Sequence, residues 1–356
     1  MFVAWRDLRH AKGRFVLIGL VVALITLLVG FLSGLTGGLA VQNISAITGI
    51  NANQIVFADP ASDATPLYSD SSVTRAQASA WQHQAGVTSA SPLGITQLKI
   101  YAGSKQASVA IFGATTGFGS MPPASASSVN LPQSAATALG ATLGSTVTIG
   151  GSAFRVDAIS PDTWYSHTAV AWTSLAAWQT IAHKTGNGGA FATVLAVRGT
   201  TAAVTAANKT TGTTSASVIG SLTALDAFRS EIGSLLLIVG MLFAISALVV
   251  GAFFTVWGIQ RQPDVAILKA LGASNRMLIG DALGQAAVIL VIGVGIGIGI
   301  TAALGAVVGN GLPFILSPLT PVLPGVAMIA FGLLGAAFAL RSVTHADPLT
   351  ALGSTR

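Results

Sequence analysis

The chain has 356 residues, of which 52% are hydrophobic and only 8% charged, and it carries a net charge of +6 at pH 7. Soluble globular proteins carry about 25% charged residues, so a pair of soluble domains, which length alone would allow, is excluded. The absence of cysteine excludes disulfides, thiolate metal sites and a cysteine nucleophile. The basic excess gathers beside apolar segments and calls for no nucleic acid.

The remaining charges are clustered. Arg14 is followed by no ionisable side chain until Asp59, Glu231 by none until Arg261, and Asp281 by none until Arg341. Eighteen or more uncharged apolar residues suffice to cross a hydrocarbon core of about 30 Å. In chain order, residues 1–14 lead into a first crossing at 15–39. That segment exceeds the ~7–15-residue core of a cleaved signal peptide. A second crossing falls at 232–258. The uncharged run 282–340 has room for two more, at 282–308 and 322–340, because Gly309 to Gly311 and Pro313, Pro318, Pro321 and Pro324 break it into a tight turn.

Basic residues near crossings mark the cytoplasmic side. They lie in the N-terminal arm (Arg6, Arg9, Lys12, Arg14), in the 259–281 loop (Arg261, Lys269, Arg276) and in the 341–356 tail (Arg341, Arg356). The three segments share one side only if there are four crossings. Both termini are then cytoplasmic in a multi-pass cell-membrane protein, and residues 42–228 lie outside.

Within 42–228 the patterning predicts a strand at Gln54–Ala58, a helix at Thr74–Ala85 ended by Gly86, and a hairpin of Ile95–Tyr101 with Gln106–Phe112 around Gly103-Ser104. A short helix at Leu131–Leu139, a second hairpin of Ser145–Ile149 with Ala153–Ile159, a helix at Ser174–His183 and a strand at Phe191–Arg198 follow. Residues 199–221 read as a last helix and linker. The expected fold class is thus a membrane α-helical protein of four transmembrane helices, with an extracellular α+β domain inserted between helices 1 and 2.

Glycines inside the crossings are spaced for close helix approach: Gly30, Gly34 and Gly38 in the first, Gly293 with Gly297 and Gly295 with Gly299 in the third. They serve packing within the chain or a subunit interface. A dinucleotide loop at Gly293–Gly299 is excluded, because no strand precedes it.

The loop Gln260–Asp281 is the most informative stretch. Asp264 after Pro263 suits a helix start, and Ile267, Ala270 and Leu271 form an apolar stripe at helical spacing. Gly272 stops that helix and Ser274 caps the next. The stripe either rests in the headgroups or docks a cytoplasmic partner.

The run Ala266–Ser274 (AILKALGAS), followed by a crossing, resembles the signature of the MacB/FtsX-type permeases of ATP-binding cassette (ABC) systems. The N-terminal AWRDLRHAKGRF is similar to that family's amphipathic entry helix, with Met1, Trp5 and Leu8 as its apolar face. His345-Ala346-Asp347-Pro348-Leu349-Thr350-Ala351-Leu352 resembles its closing Asp-Pro motif, and Leu131–Ile159 its small-helix and hairpin element. The resemblance implies a homodimeric permease in membrane lipid, served by a separate cytoplasmic ABC ATPase that moves the outer domain. It also implies that the inner helix couples the two, through Asp264, Ile267, Leu268, Lys269, Leu271, Gly272 and Ser274. The chain has no GxxxxGK[ST] phosphate loop, so ATP hydrolysis is expected in the partner and not here.

Within that family the chain looks most like the haem-exporter (HrtB/DevC-like) permeases, on Asp162-Thr163-Trp164-Tyr165-Ser166-His167-Thr168 and DVAILKALGAS. Asp264 stands where the family usually has glutamate. This resemblance implies haem as the transported substrate, with no intrinsic cofactor. Haem is flat and apolar and takes axial ligands such as His, Tyr, Met or a carboxylate. Glu231, the only glutamate, sits at the outer entrance of the second crossing, as a ligand or as an acid favoured by the first-turn dipole. Tyr165 is a second ligand, a stacking wall or a core aromatic, and His167 a ligand or a strand histidine bonded to backbone. His83 and His183 read as surface residues. No catalytic triad, paired carboxylates or metal-ligand spacing is readable. Export of another amphiphile, peptide or lipoprotein, and transmembrane activation of a cell-wall hydrolase, are the competing functions.

Overall fold

The computed structural model describes residues 12–60, 64–115, 118, 125–186, 189–260, 272–308, 312–315 and 319–344. The chain divides into two compact units: residues 39–232, and the segments 1–38 and 233–356 taken together.

The 39–232 unit is an α+β domain. It opens with the last turns of helix α1 (Lys12–Thr48), followed by β1 (Gln54–Ala58) and α2 (Arg75–His83). Thr74 starts α2: its hydroxyl accepts from the Gln77 N–H at 3.2 Å while its own N–H donates to the Gln77 side chain at 2.9 Å, a reciprocal cap. A long hairpin follows, β2 (Val87–Ala102) with β3 (Lys105–Ala114), turning at Gly103-Ser104. Then come β4 (Ser128–Pro132), α3 (Gln133–Leu139), β5 (Thr146–Ile149), β6 (Ser152–Ser160), β7 (Trp164–Tyr165), β8 (Thr168–Ser174), α4 (Leu175–Lys184), β9 (Val194–Gly199), α5 (Thr201–Thr211), β10 (Thr213–Ser217) and a 3-10 turn at Gly220–Ala224.

Two expectations are corrected. Leu131 and Pro132 are not helical: they end β4, whose five residues are all buried because it runs between β6 and β8. Residues 199–221 are more than a helix and linker, since β10 pairs with β1 along its whole length.

The sheet order is β10-β1-β9-β2-β3-β8-β4-β6-β5, and β5 pairs back onto β2 at Ile100 and Tyr101. Six strands therefore close a small barrel, with β9, β1 and β10 continuing from the first half of β2. The barrel core holds Ile100, Val109, Ile111, Leu131, Ile149 and Val156 under α3 and α4. Trp178 of α4 is fully buried, and its indole lies over two glycines that face each other across the hairpin, Gly94 and Gly113. A Cβ on either would fall 2.1–2.2 Å from a Trp178 atom. The indole N–H donates to the Thr96 hydroxyl at 2.9 Å. A second core joins Ile47 and Ile50 of α1 to Ile55, Phe57, Tyr68, Leu93, Phe112, Tyr165 and Leu222.

The other unit holds the membrane-type stretches of α1 and of α6 (Asp226–Gln260), together with α7 (Asn275–Val308) and α8 (Leu319–Thr344). Among the described residues, three segments are long and apolar enough to cross a membrane: Phe15–Thr48, Asp226–Phe253 and Arg276–Val308. α8 contributes a shorter apolar segment, Val322–Phe338. α7 is capped by Ser274, whose hydroxyl accepts from the Met277 N–H at 3.3 Å.

Glycines set how closely these helices approach. A Cβ on Gly297 would lie 2.7 Å from the Ala23 carbonyl oxygen, one on Gly293 3.0 Å from that of Gly19, and one on Gly335 2.5 Å from that of Ala247. Gly38 is the tightest, with the Pro313 carbonyl oxygen 1.7 Å from the place a Cβ would take. Gly30, Gly34, Gly38, Gly293 and Gly297 are thus filled by contacts within the chain, whereas Gly295 and Gly299 face open space. Residues 1–11, 261–271 and 345–356 lie outside the described residues. Most of the expected 1–14 entry helix, the Asp-Pro motif and the coupling residues Asp264, Ile267, Leu268, Lys269 and Leu271 lie there, while residues 12–14 begin α1.

Candidate functional site

The α+β unit brings three polar side chains together from three elements. β7 and β8 form a minimal hairpin, Trp164 opposite Ala169 and Tyr165 opposite Thr168, with Ser166 and His167 as its two-residue turn. Both have positive φ, 46° and 61°. That twist matches the flanking strands, yet residues with a Cβ reach it only at a cost of about 1–3 kcal/mol. Backbone contacts hold them there: the Ser166 N–H donates to the Asn43 carbonyl and the His167 N–H to the Gln42 carbonyl, each at 2.9 Å. The Trp164 N–H donates to the Ser45 hydroxyl at 2.8 Å, and Gln97 Nε2 donates to the Thr168 hydroxyl at 2.8 Å. The hairpin is thereby stapled to the end of α1.

The turn presents the His167 ring to the start of α6. His167 Nε2 lies 2.9 Å from both carboxylate oxygens of Glu231. Asn43 of α1 donates from Nδ2 to Glu231 Oε2 at 3.3 Å, and its Nδ2 lies 3.4 Å from His167 Nε2. Asn43 is 1% exposed, whereas the side chains of His167 and Glu231 are 32% and 40% exposed. The buried amide backs a histidine–carboxylate pair that opens to the outside of the unit.

Each residue singled out in the sequence has a definite place. α6 begins at Asp226, which takes the first turn, so Glu231 lies beyond the reach of the first-turn dipole. Its partners are His167 and Asn43 instead. His167 sits in a turn and not in a strand. Tyr165, two residues before it at the end of β7, turns into the core of the unit. Its ring is 6% exposed and packs edge-on against Tyr68 and Phe112, with centroids 5.9 Å and 5.4 Å away. His83 and His183 are exposed. Asn43 was not legible in the sequence. The one available signal was an amide inside a long apolar helix, but the expected crossing stopped at residue 39.

Burial, and then the neighbouring Tyr68 and Asp226, push the Tyr165 phenol well above its ordinary range. Burial does the same for Tyr68, partly offset by its hydrogen bond to Ser221. The unfolded chain releases phenol protons near pH ~10, while the folded domain holds these two. Their contribution to stability is therefore complete below about pH 10 and is lost as the pH rises further. Thermal unfolding followed from pH 8 to 11 is expected to show a melting temperature that falls above about pH 10. The Tyr165→Phe variant should show a shallower fall, and an unchanged slope in that variant would contradict the assignment.

The chain combines helices of membrane type with a separate α+β unit. Residues 236–348 match the family described as FtsX-like permease C-terminal. Over 99% of both chains, the protein is 25% identical to a putative hemin transport system permease protein HrtB from Staphylococcus haemolyticus. Over the same share it is 26% identical to an uncharacterized ABC transporter permease from Mycobacterium tuberculosis. Among solved structures, the periplasmic region of MacB from Actinobacillus actinomycetemcomitans is similar at 14% identity and a TM-score of 0.35, covering 49% of this chain and 92% of that one. The extracellular domain of YknZ from Gram-positive bacteria gives 14% identity and a TM-score of 0.34, covering 46% of this chain and 99% of that one. The full-length relatives are named as permeases, and the segment matched by the family model is a permease domain.

Proposed function

We propose that this permease exports haem from the membrane, driven by ATP hydrolysis in a separate cytoplasmic ABC ATPase, with Glu231 and His167 as the residues that meet the haem iron. The observation that carries the reading is the convergence of Glu231 and His167, two side chains able to ligate haem iron, at 2.9 Å on a half-exposed face. They lie 64 positions apart in sequence and are brought together by two elements that otherwise share no pattern. Relatives that match along the full length and carry hemin transport names support the same substrate. Tyr165 acts in this reading as the aromatic wall behind the hairpin, since its buried ring braces the turn that presents His167.

The remaining parts follow the sequence. Four crossings (15–39, 232–258, 282–308 and 322–340) place the 1–14 arm, the 259–281 loop and the 341–356 tail in the cytoplasm and the 42–228 domain outside. The ATPase docks on the 259–281 loop through Asp264, Ile267, Leu268, Lys269, Leu271, Gly272 and Ser274. A homodimer of this chain transmits ATPase closure through α1 and α6 to the outer domain, a switch between rigid arrangements.

A titration of the detergent-purified chain with haem, read by Soret absorbance, tests the site. Wild type is expected to saturate near one haem per chain or per dimer. Glu231→Gln should lose binding, and His167→Ala should shift the spectrum or weaken uptake. Tyr165→Phe, which keeps the ring, should bind with near wild-type affinity. Weak, non-saturating uptake that is the same in all four proteins would sink the assignment of haem.

A further inference from the structure

The β7–β8 hairpin holds its two neighbouring helices by different means. Towards α1 it uses main-chain N–H groups: Ser166 donates to the Asn43 carbonyl, His167 to the Gln42 carbonyl and Trp164 to the Ser45 hydroxyl, at 2.8–2.9 Å. Gln97 of β2 holds the turn from a third direction. Its Nε2 lies 2.8 Å from the Thr168 hydroxyl and 3.4 Å and 3.5 Å from the carbonyl oxygens of Tyr165 and Ser166. The Tyr165 ring anchors the same hairpin in the core. Towards α6 the tie runs between side chains, from His167 Nε2 to the Glu231 carboxylate at 2.9 Å, and these side chains are 32% and 40% exposed. Water competes for a pair so exposed, whereas Asn43, whose carbonyl holds Ser166, is 1% exposed.

The tie also sits at a particular depth along the helices. The second core grips α1 at Ala46, Ile47 and Ile50 and the start of α6 at Leu225 and Phe228. Asn43 and Glu231 lie about one turn further along each helix, away from that core. The turn itself points to the histidine. Glycine would reach its positive φ values freely, yet Ser166 and His167 occupy them, at 46° and 61°. Strain of this kind persists where the side chain it places is used, and the side chain placed here is the one that reaches Glu231. We propose that the β7–β8 hairpin is a releasable strap between α1 and α6: it stays on α1 and lets go of α6 when His167 parts from Glu231. With the strap engaged, the two helices are held together one turn beyond the core. With it open, α6 is free to move from residue 229 onwards while the domain remains folded.

The strap does not rest on the haem reading, and its test contains no haem. Hydrogen exchange is followed by mass spectrometry on the full-length chain in detergent. His167→Gly keeps the left-handed turn and the N–H bond to Gln42 while cutting the tie to Glu231. Exchange at residues 229–234 is expected to rise at least about tenfold in this variant, as a local opening. Residues 42–48 of α1 and the β2–β3 hairpin should exchange at wild-type rates, and the melting temperature should change little, since glycine suits the turn. His167→Asn, which also tolerates the left-handed region but has a shorter side chain, should match His167→Gly. Unchanged exchange at residues 229–234 in both variants would overturn the strap. A rise spread evenly over α1, α6 and the β2–β3 hairpin would overturn it too, because that pattern marks a general loss of stability and not the release of one tie.

Discussion

Replacing Trp178 by alanine is expected to cost the α+β domain about 3–5 kcal/mol, the range for truncating a buried aromatic. The indole is fully buried, covers Gly94 and Gly113, and spends its N–H on Thr96. Its removal opens a cavity over the hairpin that closes the barrel and leaves the Thr96 hydroxyl without that partner. Gly94→Val and Gly113→Val attack the same contact from the other side. Their side chains would begin 2.1–2.2 Å from Trp178 atoms, and Gly113 also lies close to the backbone at Ser174. Chemical unfolding of the domain signal, for example by tryptophan fluorescence, checks the magnitude. A loss below about 1 kcal/mol in all three variants would mean that the indole does not organise the barrel.

The second large effect is expected at Gly38. A methyl group there would collide with a backbone carbonyl, that of Pro313, which cannot rotate away as a flexible side chain could. Overpacking typically costs about 1–3 kcal/mol, and a backbone obstacle places Gly38→Ala at the upper end and Gly38→Leu beyond it. Gly295→Ala and Gly299→Ala are the controls, because nothing lies within 4 Å of a Cβ at either position. Thermal stability in detergent should fall sharply for the Gly38 variants and barely for the controls. Equal losses at Gly38 and Gly299 would contradict this packing.

Elements with a strong local signal were legible in the sequence. β1 occupies the residues expected of it, the first hairpin turns at the Gly103-Ser104 that marked it, and α2 and α4 begin beside the Thr and Ser that cap them. β8 and β10 were not legible. β8 is a short run whose burial does not alternate, and β10, Thr-Thr-Ser-Ala-Ser, is a polar strand held by backbone pairing with β1. Closure of the barrel rests on two residue pairs between β5 and β2, a non-local contact that no window of sequence contains. The candidate site divides in the same way. Glu231 announced itself as the only glutamate, beside a long uncharged run, and His167 as a histidine in an aromatic segment. That the two touch, and that Asn43 supports them, depends on a left-handed turn formed by Ser166 and His167 without glycine. Propensity argues against such a turn, and only the backbone contacts to Gln42 and Asn43 explain it.

Export of haem is tested most directly by the haem content of membranes from cells grown with added haem. Three strains are compared: one carrying the chain, one lacking it, and one carrying Glu231→Gln at equal abundance. Low membrane haem with the wild-type chain, and matching accumulation in the other two strains, is the result expected of an exporter that works through Glu231. Equal haem content with and without the chain would contradict it.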